Sequence, residues 1–172
     1  MTLSAARRLF LCLLALLPLA AAAQPPSGAL EGMDGKMHPL ADYIGRGKWV
    51  ALNIWGPRCP PCVEEMPELQ RFHDRHSATT ATVLGVAIDF PSYGYAQRDQ
   101  VRQFLDDHFI SFPVLLADGR RAALLNGGAE LEGTPTTLVF RPDGTLVARQ
   151  VGKVTEKLLS DYIASYRDGK QP

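Results

Sequence analysis

The sequence is short of anything that would set up a strong field or a phosphate cradle. Lysine plus arginine number 18 and aspartate plus glutamate 18, so no long-range attraction to nucleic acid or to an anionic membrane surface is expected. No glycine-rich phosphate loop and no serine–histidine constellation stands out, which leaves nucleotide and triad chemistry without a carrier. Internal repeats and low-complexity tracts are absent, and 172 residues suffice for one domain with a proper core. The apolar run that begins at Leu9 covers about 15 residues, fewer than the roughly 20 that a spanning helix needs.

Cysteine is scarce as well: Cys12, Cys59 and Cys62 are the three in the chain. Residues 1–23 hold Arg7 and Arg8, the apolar run, and small residues ending Ala21-Ala22-Ala23 before Gln24. That is the pattern of a secretory signal peptide with an A-x-A cleavage site. Its removal takes away two basic residues and no acidic one, leaving 16 basic against 18 acidic and a mildly acidic mature chain. Bulky Leu11 precedes Cys12 and most of the apolar run follows it, which argues against lipid attachment there. Cys12 therefore leaves with the signal, and one cysteine pair remains. The expected division is a signal peptide over 1–23, a flexible leader over 24–29 and a single domain over 30–172. Export to an oxidising compartment permits a disulfide in that domain.

What is present is a chemistry-bearing stretch at a strand-to-helix junction. The apolar run Trp49-Val50-Ala51-Leu52-Asn53-Ile54 reads as a buried strand, and Val63, Met66, Leu69 and Phe72 recur at helical spacing. Between them lies Trp55-Gly56-Pro57-Arg58-Cys59-Pro60-Pro61-Cys62. Unpaired N–H groups and the positive end of the macrodipole favour an anion at a helix start. A thiolate there has a lowered pKa, and the thiolate is the attacking species in disulfide exchange. Cys59 is thus expected as the exposed nucleophile, with Cys62 one turn on to resolve its mixed disulfide. Pro60 suits the first helical position. Pro60 and Pro61 offer no N–H to a Cys59 thiolate, which favours a reductant. Arg58 opposes this, because a nearby cation favours the thiolate.

Around that stretch the pattern alternates between α and β. Asp34-Gly35 signals a turn between two short strands within 30–40, and 41–44 reads as a helical turn. Strands are expected at 49–55, 82–88, 112–117, 136–141 and 146–151, the last two forming a hairpin around Pro142-Asp143-Gly144. Helices are expected at 59–76, with a kink at Pro67, and at 99–108, 121–125 and 155–166. Leu158, Leu159, Ile163 and Tyr166 form the expected buried stripe of the last helix.

The segment from Leu30 to about Tyr166 resembles the thioredoxin fold and, within it, the TlpA/ResA/DsbE-like family of extracytoplasmic thiol–disulfide oxidoreductases. The resemblance is carried by Asn53-Ile54-Trp55, Cys59-Pro60-Pro61-Cys62, Glu65-Met66-Pro67 and Gly133-Thr134-Pro135-Thr136 in that order. It implies an α/β fold with a central mixed sheet flanked by helices and an N-terminal β-hairpin, in a protein exported to the periplasm; the alternative reading of residues 1–23, an uncleaved anchor, would leave the domain facing that compartment. It also implies reduction of disulfides in other exported proteins, for cytochrome c maturation, for copper-site assembly in respiratory oxidases or more broadly, with re-reduction by a membrane thiol–disulfide carrier. Beyond the redox-active pair Cys59–Cys62 it implies no cofactor or metal, and neither nucleic acid nor a second copy is an expected partner. Pro135 would be cis and face the disulfide, placing the Thr134 backbone where an extended substrate can add like a strand. Trp55, Arg58, Pro60 and Pro61 would complete the substrate surface. Arg58 departs from the family's usual tryptophan, which bears on partner choice. The cytochrome-specific branch tends to carry Pro-Glu-Thr after the cis proline, whereas this chain has Pro135-Thr136-Thr137.

Glu65 lies one helical turn past Cys62, where a buried carboxylate with a raised pKa could relay the Cys62 proton; the plainer reading is a solvated helix residue. Asn53 stands where cytoplasmic thioredoxins carry an aspartate, and it cannot ionise. Either it shifts the proton work to Glu65, or it satisfies a backbone group inside the sheet. Tyr93 and Tyr95 line a partner groove or cover a loop. His73 and His76 resemble a zinc pattern with the cysteines, but eleven residues of one helix from Cys62 to His73 span roughly 16 Å, beyond one coordination sphere. Both are read as surface residues. A copper metallochaperone using Cys59 and Cys62, a disulfide-donating oxidant and a binding module with a structural disulfide stand as alternatives to the reductant.

Overall fold

The computed structural model describes residues 27–167. The expected signal peptide, Cys12 and the first half of the expected leader lie outside the described residues. The elements follow in the order β1 (Ala29–Gly32), β2 (Met37–Pro39), β3 (Trp49–Trp55), α1 (Pro60–His76), β4 (Ala81–Ala87), α2 (Arg98–Asp107), β5 (Val114–Leu116), α3 (Gly119–Leu125), β6 (Thr136–Phe140), β7 (Leu146–Val151) and α4 (Glu156–Arg167). A 3-10 turn over Leu40–Asp42 follows β2. Ala29, read as leader, already pairs with Pro39 across the first hairpin.

The strands form one sheet in the order β2-β1-β5-β4-β3-β6-β7. The pairs β3–β4 and β4–β5 are parallel, and every other neighbouring pair is antiparallel. β3 is buried along its whole length, as a central strand covered on both faces must be, which explains its unbroken apolar run. Its side chains alternate between two cores. Trp49, Ala51 and Trp55 pack with Met66, Leu69 and Phe72 of α1, Val101 and Phe104 of α2, and Leu159 and Ile163 of α4. Val50, Leu52 and Ile54 pack on the other side with Leu40, Ile44, Ala122 and Leu125. The mixed sheet flanked by helices, with its N-terminal hairpin, is the architecture the sequence predicts.

Helix α1 continues through Pro67, which leaves the carbonyl of Val63 without its helical donor. Two local expectations change. Leu158 is 49% exposed; it lies beside the stripe of Leu159 and Ile163, facing outward from α4. β5 is only Val114–Leu116, and Phe112 and Ala117, buried beside it, extend the core without extending the ladder. Among the described residues no helix is long and apolar enough to cross a membrane.

Two close approaches fix the end of β3 where the chemistry lies. A Cβ on Gly85 would sit 3.1 Å from Trp55 Nε1 and 2.9 Å from Val114 Cγ2, so the bare backbone lets the indole lie across β4. A Cβ on Gly56 would meet the carbonyl oxygen of Ile88 at 2.9 Å. The chain leaving β3 is pressed against the end of β4, and this aims the next turn at the start of α1.

Candidate active site

That turn delivers the two cysteines to the helix end. Cys59 is the N-cap of α1, with extended backbone angles, and Pro60 opens the helix where a proline N–H is not needed. The Cys59 N–H donates to the Gly56 carbonyl at 3.1 Å, and its own carbonyl accepts from Val63 at 3.0 Å. Cys59 and Cys62 are joined in a disulfide, their Cα atoms 5.2 Å apart. The Thr134–Pro135 bond is cis and faces this disulfide. Thr134 Oγ1 donates to Cys59 Sγ at 3.4 Å, and the Thr134 carbonyl oxygen lies 3.6 Å from the same sulfur. A disulfide has no S–H, so the second approach is a contact here and an acceptor for the thiol once the pair is reduced.

The expectation of an exposed Cys59 is corrected. Both cysteines are 0% exposed, because the segment carrying Thr134 and Pro135 lies over the sulfur that the helix end would otherwise present. Trp55 is corrected as well. It is 0% exposed and packs on Phe104 with ring centres 4.8 Å apart, so it belongs to the core and cannot meet a substrate. Arg58 and Pro60 are exposed and Pro61 half-buried, and these stand at the surface beside the disulfide with Thr134.

Behind the pair, Glu65 is 1% exposed, which rules out the solvated reading. Asn53 Nδ2 donates to Glu65 Oε1 at 2.8 Å and to Thr137 Oγ1 at 3.0 Å. The backbone N–H of Val154 donates to Glu65 Oε2 at 2.9 Å. Burial pushes the Glu65 carboxyl up to about 7, while the Val154 N–H, the Asn53 amide and the charge of Lys153 pull it down. Desolvation wins because an ion loses more on leaving water than two neutral donors restore. Such a group can hold or release a proton near neutral pH. Asn53 takes its structural role on side chains, not on the backbone: it bridges β3, α1 and β6.

Thr137 and Val154 are members of this cluster that sequence reasoning missed. Thr137 stands directly across from Asn53 in the β3–β6 register, a pairing visible only once the register is known. Val154 contributes a backbone donor, for which no residue type is a signal. A second cis bond, Phe90–Pro91, likewise had no signal in the sequence.

Arg58 sits differently from a bare cation beside a thiol. Its Nη2 donates to Asp89 Oδ1 at 2.5 Å. Hydrogen bonds from Ser92 and Arg58 hold the Asp89 carboxyl below its ordinary range. The ion pair ties the loop before α1 to the loop after β4, and the charge offered to Cys59 is partly cancelled. Tyr95 donates to Glu31 Oε2 at 2.5 Å and lies under Arg121, 5.8 Å from its guanidinium carbon; Tyr93 packs against Gly119. Both tyrosines tie the loop down. His73 and His76 are half-buried, hydrogen-bonded to Thr82 at 3.2 Å and to Ser160 at 3.0 Å. Among the described residues no three His, Cys, Asp or Glu side chains converge as metal ligands would.

The chain is similar to known thioredoxin-like proteins. Residues 22–149 match the AhpC/TSA family. The thioredoxin-like protein YneN of Bacillus subtilis (strain 168) is 31% identical over 134 residues, 78% of this chain and 73% of that protein. The thiol-disulfide oxidoreductase ResA of the same organism is 27% identical over 145 residues, 84% of this chain and 75% of that one. Among solved structures, a DsbF homologue from Corynebacterium diphtheriae superposes with a TM-score of 0.70 at 28% identity, over 83% of this chain and 86% of that one.

Proposed function

The chain belongs to the AhpC/TSA family and is a thiol–disulfide oxidoreductase of thioredoxin-like fold, and from that premise we propose that it reduces disulfides in exported proteins. The observation that carries the reading is the Cys59–Cys62 disulfide at the start of α1, backed by a buried Glu65 whose carboxyl titrates at about 7. In the dithiol form, the Cys59 thiolate attacks one sulfur of a substrate disulfide. The S–S bond breaks, Cys59 Sγ bonds to that sulfur, and the other substrate sulfur leaves as a thiolate that takes a proton from water. Cys62 then loses its proton to Glu65 and attacks Cys59 Sγ, expelling the second substrate thiolate. Two electrons have moved from the cysteine pair to the substrate, and the protein is left with the Cys59–Cys62 disulfide. A thiol donor of lower potential reverses the change.

Thr134, Arg58, Pro60 and Pro61 form the surface over which a substrate segment runs in this reading, and Thr134 must give way or be joined by the substrate backbone for Cys59 Sγ to be reached. The reductant direction is supported by Pro60 and Pro61, which deny the Cys59 thiolate two backbone donors, and by the pairing of Arg58 with Asp89. The signal-like residues 1–23 support action in the periplasm, with a membrane thiol–disulfide carrier as electron donor.

The test is the equilibrium potential of the Cys59–Cys62 pair against a glutathione or dithiothreitol buffer. A value near or below about −270 mV is expected of a dedicated reductant. A value near about −120 mV, that of a strong oxidant, would overturn the direction and make the protein a disulfide donor. Replacement of Cys59 by Ser abolishes turnover in either direction, whereas a binding module would keep its activity.

A further inference from the structure

Asn53 is spent asymmetrically. Both of its hydrogen bonds leave from Nδ2, toward Glu65 and Thr137, and its Oδ1 is buried without a partner. Among the described residues it is the one buried side-chain acceptor left unpaired; the other two unpaired atoms, Trp55 Nε1 and Arg98 Nε, are donors. An orphaned acceptor carries an uncompensated desolvation cost, and in a cluster this small it calls for a reason.

The reason lies in what Glu65 needs in each of its protonation states. Hydrogens reach both carboxylate oxygens, one from Asn53 and one from Val154. That suits an ion, which accepts only. A protonated Glu65 has an O–H to place and needs an acceptor, and neither the Asn53 NH2 nor the Val154 N–H can serve. A half-turn of the Asn53 amide exchanges Nδ2 and Oδ1 in nearly the same volume. Oδ1 then accepts from the Glu65 O–H and from the Thr137 O–H. Thr137 suits both arrangements, since a hydroxyl accepts as well as donates.

We propose that Asn53 is a positioning residue for Glu65, its side-chain amide turning over as the carboxyl gains or loses the proton exchanged with Cys62. The proposal rests on the reading of Glu65 as the proton partner of Cys62. The amide moves no proton itself; it supplies a donor to one form of the acid and an acceptor to the other, with Thr137 as the hinge partner on β6. The other charged groups near Glu65 are already engaged. On α1, Glu64 pairs with Lys153 and Glu68 with Arg71. At the start of α4, Glu156 pairs with Arg75, and on β7 Arg149 pairs with Glu132. β3 and β6 carry no charged residue.

The test is a pH titration of the oxidised, isotope-labelled full chain by NMR. The Asn53 side-chain amide signals are expected to shift with the same midpoint as the Glu65 carboxyl carbon. The cross-relaxation between the Asn53 NH2 and Thr137 is expected to be strong above that midpoint and lost below it. Amide signals that stay fixed through the Glu65 titration would overturn the proposal. As a second arm, Asn53→Leu removes the donor to Oε1 and should raise the Glu65 midpoint by about one unit or more; an unchanged midpoint also overturns it. Following mixed-disulfide resolution by Cys62 in the same variant separates the two readings. A resolution profile that moves with the Glu65 midpoint supports both, and one that stays put while the midpoint moves defeats the relay and leaves the positioning role standing.

Discussion

At the scale of single residues, the buried carboxyl is the most consequential feature of the site. Glu65 titrates near pH 4.5 when exposed and at about 7 in the folded chain. Between those values the unfolded chain has released a proton that the folded chain still holds, so stability falls as pH rises through this window. The loss is absent below the unfolded value and complete above the folded one. A shift of this size corresponds to about 3 kcal/mol. Glu65→Gln removes the titration, and the difference in unfolding free energy between pH 5 and pH 8 should shrink by about that amount relative to the parent. Urea unfolding of the oxidised protein at the two pH values reads it directly. Equal pH slopes in the two proteins would mean that Glu65 keeps an ordinary pKa.

At the scale of elements, α1 presents the thiols, supplies the acid and anchors the core. Pro67 breaks its hydrogen-bond ladder on an exposed side, and the helix continues regardless because Met66, Leu69 and Phe72 on its other face are fully buried. Pro67→Ala restores a donor to the Val63 carbonyl and should stabilise the protein by about 1–3 kcal/mol, seen as a higher denaturation midpoint with an unchanged m value. α1 and β3 were legible from the sequence nearly to the residue, since one carries a helical period behind a proline suited to the first turn and the other an apolar run too long for an exposed strand. The cysteine pair was legible for the same reason, as it occupies the junction. What was not legible depends on pieces far apart in the chain. The burial of Cys59 comes from Thr134, 75 positions on. The exclusion of Trp55 from the substrate surface comes from a bare Gly85 on the next strand. Arg58 loses part of its charge to Asp89 on another loop, a pairing that no local pattern announces.

At the scale of the whole molecule, the site is held together by a clasp between α1 and the start of α4. Three acidic residues of α1 reach across: Glu64 to Lys153, Glu65 to the N–H of Val154, and Glu68 to the N–H of Glu156 at 3.0 Å. Glu68 thereby satisfies an unpaired donor in the first turn of α4, and that hydrogen bond is the main cause of its lowered pKa. The exposed ion pair adds little by itself. What keeps α4 in place is the apolar contact of Leu159 and Ile163 with the core shared by Trp49, Phe72 and the two cysteines. α4 is therefore part of the redox site although it bears no reacting group. Leu159→Ala, at a position 3% exposed, should cost about 2–5 kcal/mol of stability. Its second effect is the informative one. As the start of α4 loosens, the Val154 donor to Glu65 weakens, and the ionised carboxyl loses one of the groups that favour it. The Glu65 titration in the variant should move upward, and resolution of mixed disulfides should become slower at neutral pH. A variant that is less stable but keeps the parent's Glu65 midpoint would show that α4 closes the core without tuning the acid.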